Sequence, residues 1–525
     1  MNSRIILVKN IEIDKEYTNV LSYTEEQMLE LCRSQKHLVA QADNYSFIRT
    51  TSTIMTGFSL NQCLQANYIA FQNPDYSNKW FFAWIDDVIY KGNKNTEISF
   101  TVDAWSTWYD YWNKKTCFIN RQHTNNDTIG LHTIPENLDV GEVIEEDYQE
   151  SILMNISNNE YYFAIEGTYN PITTEDFIGV NKINGVLNGN WIFLFDVYEG
   201  NVGIPEINNF IEAVNKAGKI ESIKNMYILP QWLCDDIGTQ EYSSSGTLGQ
   251  YKFKLLKSSD KAVELTESIS YTKSFNDYKP KNNKCFVYPY NYLLVSNNAG
   301  NNNIYKYEDF KFIDNFVEPA FSFIGSVALG GSVRLIPRKY KNIDYNYDES
   351  LPLAKFPTCS WASDAFTNWL TSNGVNIGSK IVDTVGGIAT GNAKSVAGNV
   401  ASLIGDFYKA NLLPSIEGGN NTGDVIFSDR RNIFSFHHMR VKTEYLKIID
   451  DYFTRFGYAV KKLENPNLKG RKYWNYVEIG TSEEIGYGEV PSKYMDIINN
   501  ACRTGVTIWH NHENVGNYSL NNTIV

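Results

Sequence analysis

Short aromatic runs separated by Asn and Gly constrain this chain more than any other feature. Trp80–Tyr90 and Ile98–Val102 predict two strands, with Gly92, Asn93 and Asn95 as turn residues between them. The same pattern recurs along much of the chain of 525 residues. Tyr (35) and Trp (11) are abundant, and Asn makes up more than a tenth of the residues. Aromatic side chains suit a half-buried pleated surface, and Asn suits the tight turns between strands. The expected fold is therefore mainly β with minor helices, a multi-domain β-sandwich or β-barrel-like architecture. The length implies about two to four domains, each able to bury its own core. At 20% charged and 14% aromatic residues the chain is no globally disordered polymer.

A net charge of −13 argues against a protein that grips nucleic acid, because gripping means neutralising phosphates with clustered cations. It leaves room for nucleic acid passing by a surface that repels it. The seven cysteines (Cys32, Cys63, Cys117, Cys234, Cys285, Cys359, Cys502) are odd in number, widely spaced and free of CxxC. They predict free thiols from a reducing cytoplasm, not a disulfide framework or a zinc knuckle. The apolar run Ile5–Val8 is too short for a secretion signal, and no stretch is long enough for a conventional transmembrane helix.

Residues 1–155 read as a first β-rich domain with helical interruptions. Glu25–Ser34 predicts a helix capped by Thr24, with Met28, Leu29 and Leu31 on its apolar side. Asp103–Trp112 carries Trp105, Trp108 and Trp112 at helical spacing, a core-facing stripe. Residues 156–280 read as a second β-rich domain, an insertion or knob. It holds a helix from Glu206 to Ala217 stopped by Gly218, and an exposed loop at Ser243, Ser244, Ser245 and Gly246. Residues 281–364 continue the β structure, 365–424 form a separate loop, and 425–525 return to strands with a helix near Thr443–Phe456.

The loop is chemically unlike its surroundings. Between Ala365 and Gly405 the only charges are Lys380, Asp383 and Lys394. Ile377, Ile381, Val385 and Ile388 form one stripe at helical spacing; Val396, Val400, Leu403 and Phe407 form another, with Ile404 beside it. Glycines recur at Gly374, Gly378, Gly386, Gly387 and Gly391. Each Gly costs a helix up to about 1 kcal/mol, so neither segment should be a robust helix alone in water. The spacings Gly374/Gly378 and Gly387/Gly391 match a helix-contact pattern used in lipid. Two expectations follow: a packed helical hairpin or extended loop, or a stored membrane-active segment released by a trigger.

Enzyme signatures do not emerge. GxSxG is absent, and the glycine run Gly386–Gly391 is followed by Asn392 where a phosphate-binding loop needs Lys. The acidic doublets Asp86-Asp87, Glu145-Glu146, Asp235-Asp236, Asp450-Asp451 and Glu483-Glu484 read as solvated turns. His510-x-His512 would place two rings on one face of a strand, but no third metal ligand is indicated, and His437-His438 read as satisfied histidines. No catalytic residue, metal or cofactor is expected.

Six stretches in order carry a resemblance: IAFQNPDYSNKWFFAW (69–84), FTVDAWSTWYDYWNKKTCFINRQH (100–123), NNKCFVYPYNYLLVSNNAGN (282–301), DDYFTRFGYAV (450–460), GRKYWNYVEI (470–479) and RTGVTIWHNHENVGNYSLNN (503–522). Together they resemble the tail-knob, or distal tail tube, proteins of small short-tailed bacteriophages of the picovirus group that infect Gram-positive bacteria. The resemblance implies a β-rich tube subunit at the virion's tail tip, made in the host cytoplasm, assembling as a homo-hexamer with other tail proteins (an upper tube or connector, a tip plug or spike). It also implies that viral DNA passes through without specific binding, and that a weakly charged loop plugs the bore and then enters host membrane lipid. Residues 365–413 occupy the place of that loop. Trp80, Phe81, Trp108, Trp474 and Tyr476 are expected as core and wall packing, and Pro289 as a turn or strand edge. The competing expectation is a carbohydrate-binding adhesin of the tail tip, centred on 156–280, for which high Tyr, Trp and Asn content is suited. A wall-degrading hydrolase is a third and different class.

Overall fold

A computed structural model describes residues 3–48, 51–74, 77–92, 95–155, 161–179, 181–183, 186–196, 204–244, 251–258, 264–270, 275–297, 301–311, 316–325, 333–352, 358–360 and 431–525. It is mainly β, and the chain divides into two compact units. The first comprises Met1–Glu142, Tyr278–Phe286 and Lys442–Val525; the second comprises Val143–Asp277 and Val287–Val441.

The first unit contains a seven-stranded sheet in the order Leu38–Ala42, Arg4–Val8, Tyr68–Gln72, Trp80–Gly92, Asn95–Val102, Thr53–Thr56, Ser46–Ile48. The run Ile5–Val8 is apolar at every position because its sheet is buried on both faces. Ile5 and Leu7 join Ile69, Phe71 and Ala83 in one core, while Ile6 and Val8 join Tyr68, Phe82 and Trp84 in the other. That second core is completed by a five-stranded sheet, whose Trp474, Ile508 and Trp509 are fully or almost fully buried. Between the sheets lies the tryptophan stripe. Trp80, Trp108, Trp474 and Tyr476 are buried and Phe81 is half-buried, as expected of packing residues.

Local signals translate well where caps are strong. The helix Glu25–Arg33 starts at Thr24, whose side chain accepts from the Gln27 backbone N–H while Gln27 reaches back to close a capping box. Trp80–Gly92 and Asn95–Val102 form the expected hairpin. Thr443–Phe456 is helical throughout, and Ile204–Lys216 is followed by Gly218 at φ +69. Pro289 lies in a turn before the strand Asn291–Ser296.

Three readings are corrected. The tryptophan helix is only Ala104–Trp108, followed by a 3-10 turn. Trp112 pairs with Gly488, which pulls the backbone into a strand, yet its ring still meets Trp105 edge-on at 5.8 Å. Ser243 and Ser244 end a polar edge strand, Thr239–Ser244, because pairing with Tyr251–Leu256 outweighs their turn preference. The helices Leu60–Gln65, Gln231–Ile237 and Ser492–Thr504 were not anticipated. In the last, Met495, Ile498 and Cys502 keep helical spacing, but the intervening asparagines read as turn.

The second unit has three larger sheets. One has six strands in the order Thr239–Ser244, Tyr251–Leu256, Trp191–Asp196, Tyr161–Gly167, Ile223–Pro230, Thr358–Ser360. A four-stranded sheet is built around Arg431–Val441 and Asn291–Ser296. A five-stranded sheet built around Phe316–Gly325 and Val333–Tyr340 meets it through ring contacts Phe321–Phe436 (5.4 Å) and Phe323–Phe434 (5.2 Å). Sheet-on-sheet packing of this kind makes a sandwich core. Among the described residues no helix is long and apolar enough to cross a membrane.

Candidate functional site

The fourteen loop residues singled out from the sequence (Gly374, Ile377, Gly378, Ile381, Val385, Gly386, Gly387, Ile388, Gly391, Val396, Val400, Leu403, Ile404 and Phe407) lie outside the described residues. The flanks are described. Thr358–Ser360 pairs with Ile223–Pro230 at the end of the six-stranded sheet. Arg431–Val441 is hydrogen-bonded on both sides, to Val143–Asn155 and to Asn291–Ser296. Segment 361–430 therefore leaves from one strand of the second unit and returns into another.

The titratable clusters resolve differently from expectation. Of the acidic doublets only Glu483-Glu484 lies outside helix and strand, just after a turn at Thr481-Ser482; Asp86-Asp87 and Glu145-Glu146 are in strands, and Asp235-Asp236 and Asp450-Asp451 are in helices. Asp450 is fully buried. One carboxylate oxygen accepts from Tyr278 Oη at 2.7 Å and the Lys281 backbone N–H at 2.8 Å. The other accepts from the backbone N–H and the side-chain Nδ2 of Asn282, at 3.0 and 2.8 Å. Four N–H and O–H donors, joined by the Cys285 thiol at 3.6 Å, satisfy a buried acid here. They pin the short segment Tyr278–Phe286 to the helix Thr443–Phe456. Next to it Lys284, itself buried, and Arg121 both bind the enclosed carboxylate of Glu136. Burial pulls the Lys284 ammonium down from its usual range, against the pull of Glu136 upward.

The histidines are structural. His123 is buried between the strand Trp474–Ile479 and the helix Thr443–Phe456: its Nδ1 accepts from the Tyr476 N–H at 2.8 Å, so Nε2–H donates to the Thr454 carbonyl at 3.1 Å. Desolvation, with Arg471 nearby, pushes its pKa down to about 3. The strand Val506–Trp509 ends before His510, so His510 and His512 do not share a strand face. His510 bonds Ser22 and Asn475, and His512 packs edge-on against His37 at 4.8 Å. His437 contacts Glu145, and His438 meets Tyr307. Among the described residues no group of three or more His, Cys, Asp or Glu side chains could hold a metal ion. The six described cysteine side chains are free and buried.

One cleft carries convergent chemistry. Among the described residues the strands Trp191–Asp196 and Tyr251–Leu256 pair at Phe193↔Leu255 and Leu194↔Lys254 alone. Tyr251–Leu256 pairs along its full length with the edge strand Thr239–Ser244. Where the first two strands part, a cleft of about 120 Å³ opens. Asp196 lines one side, Lys252 and Lys254 the other, Glu241 and Tyr242 come from the edge strand, and Glu206 comes from the helix Ile204–Lys216. Lys254 Nζ bridges the gap, 3.2 Å from Asp196 Oδ1 and 3.0 Å from Tyr162 Oη, which itself donates to Asp235 at 2.7 Å. Burial is the main reason the Tyr162 phenol is pushed up to about 12. Tyr242 stacks on Phe253 (5.4 Å, 21°), and Phe253 is packed in turn by Phe193 and Phe210. Sequence reasoning missed this cleft, because TQEYSS carries no apolar alternation and its meaning depends on which strand it joins.

Known proteins similar to this chain place the whole of it. Residues 1–113 match the caudoviral major tail protein N-terminus. The tail knob protein gp9 of Bacillus phage phi29 is 22% identical, over 99% of this chain and 98% of its own length. The tail knob protein gp9 of Bacillus phage PZA is 24% identical, over 91% of each. In fold, the tail knob protein gp12 of bacteriophage C1 superposes over the full length of both chains with a TM-score of 0.60 at 15% identity. Residues 250–523, more than half of the chain, match the C-terminal domain of the phi29 tail knob protein gp9. The chain accordingly belongs to the phi29 gp9 tail-knob family, structural proteins of the phage virion tail.

Proposed function

We propose that this protein forms the distal tail tube of a short-tailed phage, a channel for genome ejection whose 365–413 segment first plugs the bore and then enters the host membrane. The observation that carries the reading is the likeness to tail knob proteins along the whole chain, joined to a segment of wholly different composition. Its chemistry is physical and not enzymatic. A homo-hexamer of a chain with net charge −13 can present an acidic bore, through which DNA slides because no cation cluster arrests its phosphates. A plug must be apolar enough to pack with its symmetry mates at about 25 cal/mol per Å² buried, yet loose enough to leave. Gly-interrupted amphipathic stripes meet both demands, since low helix propensity keeps the packed state shallow.

Electron microscopy of the purified chain tests the assembly: sixfold rings with a central hole are expected, and solitary particles at all concentrations would sink the channel reading. For the loop, synthetic peptide 365–413 should release dye from liposomes. Failure on neutral, anionic and low-pH vesicles alike would leave it with the plug role only.

A further inference from the structure

We propose that the cleft between the strands Trp191–Asp196 and Tyr251–Leu256 is a binding site for a hexopyranose, neutral or amino-substituted. A sheet normally closes such a gap with ladder hydrogen bonds; here pairing stops at Leu194↔Lys254, and side chains of both polarities converge on the opening. Three carboxylates (Asp196, Glu206, Glu241) and two ammonium groups (Lys252, Lys254) line it; Asp196 and Lys254 bind each other, and exposed Glu241 and Lys252 offer an acceptor and a donor at the rim. A ring carrying hydroxyls at successive carbons needs that mixture, because each hydroxyl is donor and acceptor at once. Charge-assisted bonds to the carboxylates are the stronger ones.

The wall fits as well. Tyr242 is half-buried and held by its stack on Phe253, so it presents apolar surface already fixed in place. Lys254 is held by Asp196 and Tyr162, which leaves exposed Glu241 and Lys252 as the adaptable contacts at the rim. Small pockets that combine a fixed apolar wall with a few placed polar groups are what saccharide-sized ligands use. The alternatives fit less well. A phosphate would meet three carboxylates against two ammonium groups. A divalent cation finds no triad of ligands among the described residues.

The test is saturation-transfer NMR on the full-length chain with glucose, glucosamine, N-acetylglucosamine and glycerol phosphate as separate probes at millimolar concentration. At least one of the three sugars should receive saturation, and glycerol phosphate should not. Glu241→Gln, on an exposed edge position, should weaken sugar binding about tenfold or more with an unchanged thermal melt. Tyr242→Ala should abolish it. Absence of signal for all three sugars overturns the proposal, as does sugar binding unaffected by both substitutions. Binding of glycerol phosphate alone, lost in Lys252→Ala, would assign the cleft to anions instead.

Discussion

Asp450 and Asp451 are adjacent in sequence, share a helix and differ almost completely in surroundings, so substituting each by Ala isolates the value of the buried network. Helix propensity changes equally in both variants and cancels. Asp451 is exposed, and its loss should stay within about 0.5 kcal/mol. Asp450→Ala removes five acceptor contacts, two of them to the backbone N–H groups of Lys281 and Asn282 and one, the weakest, to the Cys285 thiol. A hydrogen bond to a charged group contributes about 1.5–3 kcal/mol, which puts the upper bound for the four N–H and O–H donors at roughly 6–12 kcal/mol. Two of the donors recover something. Tyr278 is only half-buried and can turn to water, and Asn282 Nδ2 keeps Thr454 Oγ1 and the Asp450 carbonyl. The expected loss is therefore about 3–5 kcal/mol. For a unit of this size each kcal/mol moves the melting temperature by about 2–4 °C, so the shift should be near 10 °C. Differential scanning calorimetry reads it, and limited trypsin digestion localises it, since Lys281 and Lys284 lie in the pinned segment. If Asp450→Ala and Asp451→Ala melt within about 2 °C of each other, the segment is held by something other than this carboxylate.

His123, with its folded pKa lowered to about 3 from 6.5, makes the unfolded chain bind the extra proton. Stability is then present above pH 6.5 and is lost as pH falls below it; between pH 6.5 and 5 His123 should account for about 1.6 kcal/mol of the loss, and His510 and His512, both pushed down to about 4 chiefly by desolvation, add to it in the same window, so urea titrations should show a fall of more than about 2 kcal/mol and a flat profile would contradict it. Gly457 sits at φ +65, ψ −149, and an added Cβ would lie 2.2 Å from the Gln122 carbonyl oxygen, so Gly457→Ala should cost more than about 3 kcal/mol. Gly516 has φ +79 but open space, so Gly516→Ala should cost only about 1–2 kcal/mol, and equal melting shifts for the two would refute the clash. Deletion of 370–412 should leave ring assembly intact by electron microscopy, because the flanking strands pair with partners outside it; aggregated or monomeric product would contradict this.

What the sequence determined by itself is whatever depends on neighbours within a few residues. Thr24 and Gln27 close a cap three positions apart, Gly218 follows the end of a helix, and the Trp80–Gly92 hairpin has Gly92 paired with Asn95 as its last rung. The six ordered motifs carried the family for the same reason: each is a local string. Tertiary structure alone decided what depends on distant partners. Trp112 leaves its helix for Gly488, TQEYSS becomes a strand because Tyr251–Leu256 offers it an edge, and one aspartate of a doublet is buried because Tyr278–Phe286 returns to meet it. The cleft belongs to this second kind, since it exists only where two strands, more than fifty residues apart, stop pairing. Local preferences amount to about 1 kcal/mol per residue, and a ladder of hydrogen bonds or a buried charge outweighs them.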